Sequence, residues 1–233
     1  MVCDFLTEQF ETENKAYSTI NSYRSALSSI LPPFEGKLLG EHPVIVRLLK
    51  GMYVTCPPQS RYTTTWDVNI LLNCLETWDP LCGLTLKQLT IKTVALVALV
   101  SAQRSQALAA FRLDFMHKVA DSIQFVIPDI LKTSRPGKSP LKVLLPAFPD
   151  NPKLCVYSAV CAYIARTQAV RETLKTTKLF ISYGRPYKVV CASTIARWLK
   201  SALDLSGIDT NIFNGHSFRS ASTSKAASLG VSI

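Results

Sequence analysis

Four basic side chains in this 233-residue sequence have the types and order that suit a bound phosphate. The densest pair lies late in the chain, in Asn214-Gly215-His216-Ser217-Phe218-Arg219, where an imidazole and a guanidinium stand three residues apart. Asn-Gly is a turn signal and Ser217 a candidate N-cap, and the Ala- and Ser-rich run through Leu229, with Lys225, predicts a helix starting here. An anion at its first turn would meet backbone N–H groups and the positive end of the helix dipole, besides Arg219 and a protonated His216. Upstream, Arg104 follows a long apolar stretch. Lys132 is placed on a predicted strand leading into a basic hairpin, with Lys138 and Lys142 close by. Each has an ordinary explanation when taken singly. Arg104 is favourable at a helix C-terminus, Lys132 fits a solvated hairpin lysine, and a His-x-x-Arg tetrad arises by chance. Their order, and the elements between them, are more specific together.

The bulk properties narrow the chemistry. Hydrophobic content of 48% with 18% charged residues describes a globular chain able to bury a core. Formal net charge is +10 and unevenly placed: residues 1–60 hold 5 Lys and Arg against 6 Asp and Glu, whereas residues 61–233 hold 21 against 10. A basic second part points to a polyanionic partner, foremost nucleic acid. Its ten acids are scattered, with only Asp114 and Asp129 near the basic constellation, where a metal-dependent nuclease needs clustered carboxylates. Seven cysteines without a Cys-x-x-Cys pair, and only three histidines, indicate neither a disulfide framework nor a zinc site. No metal and no cofactor is expected. Asp4 and Glu8 stand where a signal peptide needs a positive end and an apolar core. The longest aliphatic run, Val94 to Val100, is too short to span a bilayer. An intracellular, reducing compartment without membrane association is expected, and a nuclear one if the partner is chromosomal DNA.

The elements that must position these residues are mostly helical. A helix capped by Ser18 would bury Ile20, Tyr23, Leu27 and Ile30, leaving Arg24 on a small polar face that could lie against phosphates or simply be solvated. Pro43 to Val54 predicts another helix, with Val44, Val46, Leu48 and Leu49 as core candidates and Gly51 near its end. Cys56 to Thr65, with adjacent prolines and no apolar period, reads as a linker. Beyond it, Trp66-Asp67 opens a helix through Val68, Leu71, Leu72 and Leu75. The stretch from Leu84 to Val100 predicts a helix buried on most sides. Three short antiparallel strands follow around turns at Ala120-Asp121-Ser122 and Ser134 to Lys138. Helices then return: one capped by Asp150 or Asn151 with Tyr157, Val160, Cys161 and Ile164 buried, and one capped by Ser193 or Thr194 and closed by Gly207. The expected fold is mainly α with a small three-stranded antiparallel sheet (α+β). Residues 1–56 form a helical domain, 57–65 a linker and 66–233 a second domain.

With these motifs in place the sequence resembles the tyrosine recombinases (phage-integrase-like enzymes), and more closely the recombinases of DIRS-type retrotransposons. "AYSTINSYRSALSSI" is similar to the helical core-binding domain and "RYTTTWDVNILL" to the start of the catalytic domain. "SAQRSQALAAFRLDFM" resembles the first arginine motif, "ILKTSRPGKSPLKVLLP" the β-hairpin lysine motif and "HSFR" the His-x-x-Arg box. The resemblance implies that Arg104 and Arg219 hold the scissile phosphate, that Lys132 acts as general acid with Lys138 as the fallback, and that His216 supports the phosphate. It further implies a two-domain clamp around double-stranded DNA. Arg24, Arg61, Arg135 and Lys138 are then additional DNA-contact candidates, and a synaptic homotetramer is the expected assembly of the intact protein. Guanidinium forks suit this task, because a phosphodiester under attack gathers negative charge on its non-bridging oxygens.

Two departures from the family pattern stand out. Three positions after the first arginine the family commonly carries an acidic or hydroxyl residue; Ala107 stands here, with Gln106 beside it as a substitute. The nucleophilic tyrosine should lie beyond His-x-x-Arg, yet all eight tyrosines precede His216 and the sequence ends 14 residues after Arg219. The expectation is a mobile-element recombinase, cutting and rejoining DNA through a 3′-phosphotyrosine when intact and here truncated at its C-terminus. A catalytically dead DNA-binding remnant is the alternative, and a basic scaffold for acidic proteins a more distant one.

Overall fold

The structure is a computed structural model that describes residues 1–58, 64–132, 134, 135 and 137–230. The chain divides into two compact units, Met1–Thr63 and Thr64–Ile233. The first is helical: α1 (Val2–Glu11), α2 (Tyr17–Ile30) and α3 (Pro43–Thr55) close around Leu6, Ile20, Ile45, Leu49 and Met52. Three details differ from the sequence reading. Ala16, not Ser18, precedes α2, and no side chain caps it. Ile30, the last residue of α2, is largely exposed. In α3 the buried stripe runs through Ile45, Leu49 and Met52, leaving Val44 and Val46 in solvent. Helical spacing permits either phase in so apolar a segment. Gly51 does not end α3, which continues to Thr55.

The second unit is built around one helix. Its elements are α4 (Val68–Glu76), α5 (Leu86–Ser101), α6 (Ser105–Ala110), β1 (Met116–Val119), β2 (Ser122–Ile127), β3 (Leu141–Pro146), α7 (Val156–Leu174), α8 (Ala192–Leu205) and α9 (Ser217–Ser228). A capping box starts α5, in which the Thr85 hydroxyl accepts from the Gln88 N–H and the Gln88 carboxamide accepts from the Thr85 N–H. Every residue from Leu89 to Leu99 is buried, so α5 is enclosed on all sides, as its nearly continuous apolar character predicts. Its polar members are satisfied internally. The Thr93 hydroxyl donates to the Leu89 carbonyl, and the Lys92 ammonium donates to the carbonyl of Trp78. Burial holds the Lys92 pKa below its ordinary value.

The sheet is antiparallel in the order β1-β2-β3, with Ile123 opposite Leu145 and Phe125 opposite Val143 on its buried face. The expected mainly helical fold with a three-stranded antiparallel sheet is therefore what the chain adopts. Two helix readings shift. Asn151 caps a short 3-10 turn rather than α7, whose N-cap is Cys155. The buried stripe of α7 runs through Val156, Val160, Tyr163, Thr167 and Arg171, while Tyr157, Cys161 and Ile164 sit half-buried beside it. The Arg171 guanidinium donates to Thr167 Oγ1 and to the carbonyls of Lys178 and Leu179, and stacks 5.6 Å from the Tyr163 ring centre. Similarly, α8 begins at Ala192 with Cys191 at its N-cap, and Gly207 follows its end at φ +80°.

Between α5 and α6 the chain turns sharply at Ala102, which takes the left-handed conformation at φ 49°, ψ 26°. That conformation costs a residue with a Cβ roughly 1 kcal/mol, a cost glycine escapes. Ala102→Gly should therefore raise stability by about 0.5–1 kcal/mol, read as a higher denaturant midpoint at unchanged slope.

Candidate nucleic-acid interface

The end of α5 and the start of α9 bring the two arginine motifs together. The Ser222 hydroxyl on α9 donates to the carbonyl of Leu99 near the α5 C-terminus. Past the Ala102 turn, Arg104 is the N-cap of α6. Gln103, Arg104, Gly215, His216, Arg219, Ser220 and Thr223 consequently line one cleft of about 340 Å³. A smaller hollow shares Gln103 and Arg104 and is completed by Gln106, Ala107, Leu131 and Lys132. All four of Arg104, Lys132, His216 and Arg219 are exposed. Among the described residues, no hydrogen bond or ion pair occupies their side chains. Cations gathered without carboxylate partners set up a positive potential that favours a polyanion.

The turn before α9 is tightly held. Asn214 Oδ1 accepts from the His216 N–H at 2.9 Å, and the Asn214 carbonyl accepts from the Ser217 N–H at 2.9 Å and the Ser217 hydroxyl at 2.7 Å. Ser217 is thus the first helical residue and not the N-cap, which is His216. Its hydroxyl is buried and accepts from the Trp66 indole N–H at 2.9 Å, while the Trp66 and Phe218 rings meet edge-on at 5.2 Å. Two residues further on is about 200° around a helix. Burying Ser217 therefore turns Arg219 outward, and His216, three residues before Arg219, falls near the same face. Gly215 is required by proximity: a Cβ there would lie 2.8 Å from the carbonyl oxygen of Ala196 on α8.

Lys132 lies in the loop between β2 and β3, not on a strand. Pro128 follows directly after Ile127 and lacks the N–H that the ladder needs, so β2 stops. The loop is anchored at several points. The Lys178 ammonium pairs with Asp129 at 2.9 Å, the Ser134 hydroxyl accepts from the Leu131 N–H at 2.9 Å, and Gln106 Oε1 accepts from the Lys132 N–H at 3.4 Å. Ala107 is buried and offers the cleft no polar group. Arg135 and Lys138 are exposed on the same loop. Arg24 is half-buried in the first unit, where Nη1 donates to the Gly40 carbonyl at 3.3 Å. Arg61 lies outside the described residues. Among the described residues no helix is long and apolar enough to cross a membrane.

Sequence reasoning took Trp66 only as the opening of a helix and did not single out Gln103, Ser220 or Thr223. A Trp directly before a helix cap carries no signal of where its N–H points. Nor did it mark Cys191, exposed at the head of α8 beside Arg185, Lys188 and Arg197, which line a groove of about 610 Å³. The Ser193 and Thr194 hydroxyls, 3.0 and 3.5 Å from its sulfur, together with the Thr194 N–H, lower the Cys191 pKa to about 6.

This arrangement of helices and sheet has close parallels among solved structures. The chain superposes on a lambda integrase dimer bound to a COC′ core site with a TM-score of 0.51, at 14% identity over 99% of this chain and 73% of that one. For XerH site-specific recombinase in a post-cleavage complex with a palindromic difH substrate, the TM-score is 0.57, at 13% identity over 95% of this chain and 59% of that one. XerA recombinase gives 0.51, at 15% identity over 99% and 78%. The fold is that of the tyrosine recombinases. The chain spans little more than half of XerH, so the activities of the complete recombinases do not come with the fold. No protein-family model and no curated protein matches the sequence.

Two outcomes are expected at this face. Gly215→Ala forces a methyl against the α8 backbone and should cost about 1–3 kcal/mol of stability, measured by denaturant unfolding. Alkylation of Cys191 by iodoacetamide should rise with pH through a midpoint near 6. Peptide mapping of the labelled protein reads the rate.

Proposed function

We propose that this chain is the DNA-gripping part of a site-specific recombinase or integrase of a mobile element. The observation that carries the reading is the convergence of Arg104, His216 and Arg219 on one cleft, with Lys132 in the adjoining hollow and, among the described residues, no carboxylate paired to any of them. The fold shared with DNA-bound lambda integrase and XerH supports it, as does the second unit's share of the net charge. In this reading the Arg104 and Arg219 forks hold the non-bridging oxygens of one phosphodiester and neutralise the charge that builds up as it is attacked. His216 donates to the same phosphate. The Lys132 ammonium protonates the departing 5′ oxygen, its loop held against α6 by Gln106. Arg135 and Lys138 on that loop touch flanking phosphates, and a helical first unit, joined through residues 57–65, completes the grip on the duplex.

The strand-cutting nucleophile of this reading is a tyrosine, and residues 220–233 hold none. Cutting and rejoining through a 3′-phosphotyrosine, by a synaptic tetramer in the nucleus of its host, is the reaction this reading gives the recombinase as a whole. The DIRS-type recombinases are the relatives that the quoted motifs favour. Ala107, standing where the family carries a polar residue, favours the second reading, a remnant that binds DNA without cutting it.

Duplex binding as a function of salt tests the grip. The wild-type chain should lose affinity steeply with rising salt, and Arg104→Ala or Arg219→Ala should each make the log–log slope shallower by about 0.9, one phosphate's worth. Affinity indifferent to salt, or slopes unchanged in both variants, would refute the placement of a phosphate in this cleft.

A further inference from the structure

Trp66 touches none of the solvent in the cleft, yet it is tied to the residue between His216 and Arg219's helical face. It precedes α4 by two residues and lies 151 residues from Ser217 in sequence. Both partners are buried, at 5% and 2% exposure. The indole N–H is a donor only, and here its acceptor is the Ser217 hydroxyl, which in turn donates a hydrogen bond to the Asn214 carbonyl. Asn214 in turn holds the His216 N–H through its side chain. A continuous run of hydrogen bonds therefore connects Trp66 to the backbone from which both cleft residues project.

We infer that Trp66 is a positioning residue for the His216–Arg219 box. Its role is carried by the N–H and not only by the bulk of its ring. The Ser217 hydroxyl can rotate, and with one donor and one acceptor engaged its orientation is fixed. Fixing Ser217 sets the azimuth of α9, and that azimuth decides where the Arg219 fork points. The Phe218 ring, packed edge-on against Trp66, blocks rotation in the other sense. What the cleft gains is pre-organisation: the guanidinium and imidazole are held ready before any anion arrives. This inference rests on the reading of the cleft as a phosphodiester site.

Trp66→Phe keeps an aromatic ring against Phe218 and removes the N–H; Ser217→Ala removes the acceptor from the other side. Two readouts apply to both variants. The first is amide hydrogen exchange, which needs no DNA. Exchange should quicken at residues 214–219 while α5 stays protected. Unchanged exchange at 214–219, or acceleration spread evenly over the second unit, overturns the inference. The second is duplex binding in a double-mutant cycle with Arg219→Ala. Trp66→Phe alone should weaken binding roughly three- to tenfold, and the double variant should lose less than the product of the two single losses. Losses that simply multiply overturn the inference. Should Arg219→Ala itself bind like wild type, the phosphodiester reading fails, and the exchange pattern still decides the role of Trp66.

Discussion

The hydrogen bond between the Trp66 indole and the Ser217 hydroxyl closes the second unit. It is buried, and losing the Ser217 hydroxyl would leave the indole N–H without its acceptor, at a cost of about 1–3 kcal/mol. Around it the other constraints fall into place. Gly215 must be glycine because α8 presses on the turn, Phe218 must be aromatic to meet the Trp66 ring, and Arg219 must face outward because Ser217 faces inward. The basic character of the cleft follows from packing decisions taken on its dry side.

Helix α5 is the other fixed element. It threads the core with eleven successive residues out of solvent, including a lysine. An unpaired ammonium there would be prohibitively costly, and the Trp78 carbonyl with the nearby Asp79 and Glu76 charges offsets part of its desolvation. Arg171 on α7 is accommodated the same way, by the carbonyls of Lys178 and Leu179 in the segment after the helix and by an aromatic face. Such residues make the interior specific at the expense of stability. Rigid elements of this kind also suit a site whose two halves arrive from residues 104 and 216–219.

Much of this was legible in the residues. The nearly continuous apolar character from Leu84 to Val100 announces a helix buried on most sides, Asp67 caps α4 as its type suggests, and alternating Ile123, Phe125 and Ile127 give the one-sided sheet. What escaped has physical causes. The α3 stripe slipped because Val44, Ile45, Val46, Leu48 and Leu49 satisfy two helical phases equally. The α7 stripe slipped because Thr167 and Arg171 lie on its buried face, and polar side chains buried by carbonyl contacts leave no hydrophobic period. Lys132 moved from strand to loop through Pro128, a stop that outweighs the β-formers around it. At the cleft, the order of Arg104, Lys132 and His-x-x-Arg was visible while the supporting contacts were not. Trp66 and Ser217 are 151 residues apart, and no local pattern links them.

That separation bears on how the chain folds. The contacts of α5 with its own flanks, and the β1-β2 turn, join near neighbours and can form early. The Trp66–Ser217 bond closes a loop of 151 residues, and its entropic cost must be met before the bond returns anything. The cleft therefore requires both ends of the unit to be present. During synthesis the Trp66 indole stays in water until α9 has left the ribosome and brought Ser217 to it. Until then the chain carries its arginines without a site to hold them in.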